Sequence, residues 1–257
     1  MANIGRSWKR VFFVTDSHGN LCHRDRADEA WAIKHDFQPH LTVHLGDTWE
    51  FTALRRGASD SELNVDLQAD LDAGIEFLER FRPSIVFEGN HCKRIRYLMR
   101  KPDGRLAMLA GLVHSRMIEA IEGIGAEWVP FNSKTGQRKI GAHLCMHGYA
   151  HGINAIEKQR NVYRMPVIVG DGHKSQMLPG KYGAAPSYMV GALLDFSKVE
   201  YDENTLAGVD RSHGILLGEY CEDDSHLTLI ASRPGESLRL PCFAHRPQNH
   251  ESIPYPG

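Results

Sequence analysis

The stretch Arg10–Asn20, "RVFFVTDSHGN", decides how the rest of the chain is read. Val11 to Val14 are apolar without alternation, the pattern of a strand covered on both faces. Directly after them the chain presents a carboxylate, Asp16, and an imidazole, His18, two residues apart. Aspartate after a strand ordinarily forms a turn or caps a helix. The pair could equally be half of a metal site, and the other strand ends discriminate.

The same phrase recurs four times. "LTVHLGDTWE" (Leu41–Glu50), "SIVFEGNHC" (Ser84–Cys92), "AHLCMHGYAHG" (Ala142–Gly152) and "MPVIVGDGHKS" (Met165–Ser175) each read as a short buried strand followed by polar, chemically capable residues. Between them lie helical patterns at Asp25–Asp36, Asp66–Phe81, Gly104–Gly125 and Gly152–Tyr163. The second carries Leu67, Leu71, Gly74, Ile75 and Leu78 on one stripe with acids opposite. Strands alternating with helices predict an α/β layered fold. Beyond Ser187 short strand-like runs predict a closing β layer, with "HGILLGEYC" and "DSHLTLIAS" pairing as a hairpin across "EDD". The five strand ends present Asp16 and His18, then Asp47, then Asn90 and His91, then His147, then His173. In open α/β sheets sites form outside the carboxyl ends of strands, so these groups are expected in one crevice.

The 257 residues are 42% hydrophobic and 24% charged, enough for a large core without covalent staples. The formal net charge of -2 advertises neither nucleic acid nor membrane as a global partner, though a local basic patch is compatible with it. No apolar run is long enough to span a bilayer. Cys22, Cys92, Cys145, Cys221 and Cys242 are scattered and odd in number, and "MANIGRSWKR" lacks the apolar core of a signal peptide; both predict a reducing cytoplasm. Histidine is the unusual count, at 15. We expect one domain over residues 1–240 and a proline-rich tail or arm over 241–257, through which subunits could associate.

The order and spacing of these motifs resemble the calcineurin-like metallophosphoesterases, whose pattern runs D-x-H, G-D-x-x-[DE], G-N-H-[DE], H, G-H-x-H. The matches are "DSH" (Asp16–His18), "GDTWE" (Gly46–Glu50), "GNHC" (Gly89–Cys92), "HG" (His147–Gly148) and "GHKS" (Gly172–Ser175). "GNHCKRIRYL" is similar to the phage and prophage branch. The resemblance implies a two-sheet α/β/β/α sandwich with flanking helices, its first sheet carrying the site. It also implies two divalent metal ions held by Asp16, His18, Asp47, Asn90, His147 and His173. Two sequence departures stand out: Cys92 replaces the acid after GNH, and Ser175 replaces the last histidine of G-H-x-H. The second would leave one metal position short of a ligand, with His151 or Asp171 as spares, and Ser175→His would then tighten it.

Physical chemistry supports this assignment. Two cations roughly 3.5–4 Å apart need a shared anion against their repulsion, and Asp47 is the candidate. Imidazole and carboxylate together suit manganese first, with iron, zinc or nickel as alternatives. The expected reaction is hydrolysis of a phosphate ester by a metal-bridging hydroxide. The resemblance implies that His91 is the general acid or a phosphate contact, with Glu50 of the "GDTWE" motif its carboxylate partner, and Asn90 an amide contact to metal and substrate. The basic run Lys93, Arg94, Arg96, Arg100, Lys101 and Arg105 is either a solvated helix face or a phosphate-binding patch; Arg94 and Arg96 are the candidate substrate contacts. The run tilts the expectation toward a phosphodiester or nucleic-acid-related substrate. The alternatives are a phosphomonoesterase or protein phosphatase-like activity, a mononuclear hydrolase of amides or esters, and a non-catalytic interaction scaffold.

Overall fold

A computed structural model describes residues 7–55, 58–181, 183–199 and 210–240. The tail 241–257 lies outside them. Two mixed sheets pack face to face. The first runs in the order β11-β10-β1-β2-β3-β4, the second in the order β5-β6-β7-β9-β8. In the first sheet β1 (Lys9–Val14), β2 (Leu41–His44), β3 (Ile85–Phe87) and β4 (Glu127–Val129) are parallel. The hairpin of β10 (His213–Tyr220) and β11 (Ser225–Ser232) closes its edge antiparallel to β1, with Tyr220 opposite Ser225 across the expected turn. In the second, β6 (His143–Met146), β7 (Val167–Val169) and β9 (Ser187–Met189) are parallel. The short β5 (Arg138–Ile140) and β8 (Gln176–Leu178) flank them antiparallel.

The side-chain period of two sorts the strands' residues into layers. Val11 and Phe13 of β1 join Val43, Phe87, Cys145, Ile168 and Tyr188 between the sheets. Phe12 and Val14, on the opposite face, pack with Ala27, Ala30 and Ile33 of α1 (Arg24–Phe37) and Phe77 and Phe81 of α3 (Leu67–Phe81). Phe12 and Phe13 are both fully buried, each worth about 1.5–3 kcal/mol of burial. This explains why "VFFV" shows no alternation. The helix α6 (Ala155–Tyr163) covers the outer face of the second sheet through Ala155 and Ile156. The result is the α/β/β/α sandwich expected from the sequence.

A four-residue α2 (Asp60–Leu63) precedes α3, whose N-cap is Asp66: its carboxylate accepts from the backbone of Gln68 at 2.9 Å and Ala69 at 3.2 Å. One acid of α3 departs from the expected solvent side, since Asp70 is buried. The basic run forms the short α4 (Lys93–Leu98), and Gly104–Gly123 is a single helix, α5. Among the described residues no helix is long and apolar enough to cross a membrane.

Candidate metal centre

The parallel strands of both sheets end at one edge of the sandwich, and their loops are stitched together there. The Asp16 amide donates to the Gly46 carbonyl at 2.9 Å, the Gly170 amide to His147 at 2.7 Å, and, across the sheets, the Asp171 amide to Asp16 Oδ2 at 3.1 Å. The site therefore draws on both sheets. This corrects the expectation that the first sheet alone carries it: β1, β2 and β3 deliver Asp16, His18, Asp47, Asn90 and His91, whereas His147 and His173 follow β6 and β7.

The backbone is bent to bring these groups inward. Asp16, His18, Asp47, Asp171 and His173 all have φ between 49° and 63°, the left-handed region that side chains with a Cβ rarely adopt. Such strain persists only when the surrounding structure over-determines it. Gly89 shows how close the approach is: a Cβ there would lie 1.8 Å from Asp47 Oδ1.

Four of the ligand-type side chains are aimed by a partner on their other side. His147 Nδ1 donates to the Leu45 carbonyl at 3.0 Å, which turns Nε2 and its lone pair inward. His18 Nδ1 donates to Glu50 Oε2 at 2.5 Å, with the same consequence. Asp16 Oδ2 accepts from Thr15 Oγ1 at 2.6 Å and from the Asp171 amide, leaving Oδ1 buried without a hydrogen bond. Asp47 Oδ1 accepts from the His91 amide at 2.9 Å, leaving Oδ2 to face inward.

Two clusters result. In the first, Asp16 Oδ1 lies 3.6 Å from His18 Nε2 and 3.4 Å from His173 Nε2, and the two imidazole nitrogens are 3.1 Å apart. In the second, Asp47 Oδ2 is 3.1 Å from His147 Nε2, and Asn90 Oδ1 is 2.9 Å from the same nitrogen. That end of the Asn90 amide also lies 2.9 Å from Asp47 Oδ2 and 3.0 Å from Asp171 Oδ1. Rotating the amide would satisfy these acceptors with an N–H; a cation among them satisfies them with the oxygen facing inward. Asp16, Asp47 and His147 are mutually close enough to link the clusters. Convergent lone pairs with an orphaned carboxylate oxygen are the fit expected of a divalent-metal site built from His, Asp and Asn.

Electrostatics agree. Burial pushes the Asp16 carboxyl up, but the adjacent His173 and His18 imidazoles outweigh it and hold it well below the carboxylate range. Asp47 and Glu50 behave alike, with His147 and His91 respectively the leading opposing charges. Burial pushes the His147 imidazole down, and the Asp47 charge overrides it, raising it to about 10, so a cation would have to displace that proton before Nε2 offered its lone pair.

His91 sits beside this centre, its Nδ1 2.8 Å from Glu50 Oε2, so Glu50 spans His18 and His91. A cleft of about 550 Å³ opens over His91, Asn90, Asp171 and His173, walled by Lys174 and Arg211. A second cleft of about 540 Å³ meets Asn90 from the other side and is lined by Arg55, Lys93, Arg94, Tyr97 and Lys101. Arg94 lines that cleft while its Nη1 donates to the Glu50 carbonyl at 2.7 Å. Arg96 is otherwise engaged, which corrects its assignment as a substrate contact. Its guanidinium grips buried Glu88 bidentately, Nε to Oε1 at 2.6 Å and Nη2 to Oε2 at 2.5 Å, and neither cleft includes it.

The histidine motif also shifts register. Ser175 donates its hydroxyl to the His213 carbonyl at 3.2 Å, and Cβ atoms on Gly191 and Gly214 would come within 2.5 Å and 2.2 Å of it. It leaves no gap for a ligand, so Ser175→His is expected to clash. His173 itself fills the place beside Asp16 and His18. Two residues before it in "GDGH" (Gly170–His173), Asp171 faces the other cluster, 3.6 Å from His147 Nε2.

Asp70 escaped the sequence reading altogether. Its carboxylate accepts from the amides of Phe51 at 2.7 Å, Asn20 at 3.3 Å and Glu50 at 3.4 Å, tying the loops after β1 and β2 to α3. Its only signal was an acid at a core-facing helical position, Leu71 and Gly74 being its neighbours on that face.

No protein-family model matches the chain, and no curated protein matches it by comparison. Solved structures do. The chain is similar to a metallophosphoesterase from Sphaerobacter thermophilus (14% identity, 89% of each chain covered, TM-score 0.46). It is similar to an archaeal phosphodiesterase (12% identity, 86% of this chain and 99% of that one, TM-score 0.44). A third is a predicted phosphoesterase from Streptococcus pneumoniae TIGR4 (13% identity, 91% and 94% covered, TM-score 0.38).

Proposed function

We propose that this chain is a metal-dependent phosphoric ester hydrolase with a two-cation centre, and that its substrate is a phosphodiester. The observation that carries this reading is the convergence of Asp16 Oδ1, His18 Nε2 and His173 Nε2 beside Asp47 Oδ2, Asn90 Oδ1 and His147 Nε2. Together with the motif resemblance, it favours a hydrolytic centre over a scaffold, which has no use for so much buried, strained and charged chemistry. Asp16, His18, His173, Asp47, Asn90 and His147 would hold the cations, with Asp47 shared. When bound, two divalent ions supply an acidified water and positive charge for the phosphoryl oxygens.

The protein's own groups do the rest. Glu50 Oε2 lies 2.8 Å from His91 Nδ1, and His91 Nε2 stands 3.9 Å from Asp47 Oδ2 in a residue that lines the cleft, where the ring would carry a proton to the departing oxygen. Arg94 braces the Glu50 backbone and keeps that carboxylate between its two imidazoles. The diester assignment is supported by the basic cleft of Arg55, Lys93, Arg94 and Lys101, where a chain continuing beyond the scissile group would lie, and by the exposed Tyr97 ring beside it.

The test is turnover of bis-p-nitrophenyl phosphate and of p-nitrophenyl phosphate by chelator-treated protein with and without added manganese. The expected result is metal-dependent turnover with the diester faster. Faster monoester turnover would remove the diester assignment. No turnover with any divalent ion, together with no bound metal by elemental analysis, would overturn the hydrolase reading.

A further inference from the structure

The two halves of the centre are chemically unequal. The first gathers two imidazoles, His18 and His173, with the Asp16 carboxylate. The second holds one imidazole, His147, with the Asn90 amide oxygen and the Asp47 carboxylate, and a further carboxylate stands against it. Asp171 Oδ1 lies 3.0 Å from the Asn90 amide end and 3.6 Å from His147 Nε2. Its side chain is only 8% exposed, and its backbone is held at φ 63° with its amide bonded to Asp16. A buried carboxylate held in a strained backbone, aimed at the Asn90 amide end and the His147 imidazole, is poorly explained as a turn former.

We infer that Asp171 is a ligand to the cation held by Asn90, His147 and Asp47, so that the two positions select different ions. The inference rests on the hydrolase reading of the same centre. Oxygen donors would dominate at this position, three against a single nitrogen. Such a set favours a harder ion such as manganese or magnesium, whereas the His18–His173 position favours zinc or iron. The added carboxylate also offsets one more unit of positive charge, which stabilises the pair of cations against mutual repulsion. The competing accounts of Asp171 are an N–H from a rotated Asn90 amide, 3.0 Å from Oδ1, and its contact with His151, whose Nδ1 lies 3.0 Å from Oδ2. His151 is 75% exposed, so that pair is a weak reason for burying a carboxylate.

The experiment is displacement of manganese by zinc in the full chain, followed by the electron paramagnetic resonance of bound manganese and by elemental analysis. Native protein loaded with manganese should surrender it in two steps whose zinc midpoints differ by more than about tenfold, since even outer partners of a ligand shift affinity by that much. Asp171→His should close that gap, and the isosteric Asp171→Asn should weaken manganese at one position alone by more than about tenfold. His151→Ala should leave both steps in place. A single step in native protein, or two unchanged steps in both Asp171 variants, would overturn the role of Asp171 while leaving the two-cation reading intact. Loss of the second step in His151→Ala would assign the asymmetry to the ion pair and overturn it likewise. Failure of native protein to bind any divalent ion would overturn the reading beneath it as well.

Discussion

Asp47 concentrates the chemistry of the centre in one side chain. One oxygen is fixed by the His91 amide at 2.9 Å, and the other faces His147 and Asn90. Asp47→Asn keeps the shape and removes the charge that would offset two cations. We expect it to lose at least one equivalent of metal and to slow turnover by about 100-fold or more, since a partner outside the ligand shell already costs 10–100-fold. Elemental analysis and initial rates check both, and full metal with full rate would remove Asp47 as the shared ligand. His91 is different in kind, because Glu50 and the cleft hold it beside the clusters. His91→Ala is expected to keep the metal content and slow turnover about 100- to 10,000-fold, the usual range for a positioned acid. The slowing should be greatest for esters with poor leaving groups; equal slowing across a leaving-group series would remove the proton-donor role.

Elements position these residues, and α3 does so from outside the site. Asp66 caps its first turn and Asp70, one turn on, catches the amides of Phe51, Asn20 and Glu50. Asp66→Ala should cost about 1 kcal/mol of stability, the ordinary worth of a cap, with little effect on rate, as read by urea unfolding beside initial rates. Asp70 would behave differently, because its loss frees the loop carrying Glu50. The elements legible in the sequence were those with continuous apolar runs, a helical pattern or a hairpin signal: β1, β2, β3, β6, β7, β10, β11, α1, α3, α5 and α6. The strands β4, β5 and β8 were not legible. They are three residues each, with Glu127, Lys139 and Met177 exposed, so neither length nor burial marks them. Their existence follows from neighbouring strands that need partners.

At the scale of the whole molecule, the sandwich buries polar groups that link stability to pH. His44 at the end of β2 is fully buried under Phe77; its Nδ1 accepts from the Gly46 amide at 3.2 Å and Nε2 contacts Ser17 Oγ at 3.1 Å. Burial pushes its imidazole down to about 3, against the Asp16 charge, which acts the other way. The unfolded ring titrates near 6.5. Above that pH the ring is neutral in both states. As pH falls toward 3 the unfolded chain takes up a proton that the folded one refuses, so stability falls, by at most about 1.4 kcal/mol per pH unit from this group. In chelated protein, His44→Gln should lose less stability than the native chain between about pH 7 and about pH 5. Urea midpoints at the two pH values check this, and parallel losses would show that His44 takes up its proton as readily in the fold as in the unfolded chain.

Local order along the chain was enough to establish the layered α/β architecture and the strand-end phase of Asp16, His18, Asp47, Asn90, His91 and His147. Those features depend on hydrophobic period and on neighbours a few residues apart, which sequence records directly. Only the tertiary structure decided that the site straddles two sheets, that Arg96 belongs to Glu88, that Ser175 is packed against glycines, and that Asp171 and His173 divide between the two clusters. The physical reason is the left-handed turn at Asp171 and His173. A two-residue shift in such a turn changes which atoms face which cluster, and that is settled by contacts with Asp16 and Asn90, more than 80 residues away in the chain.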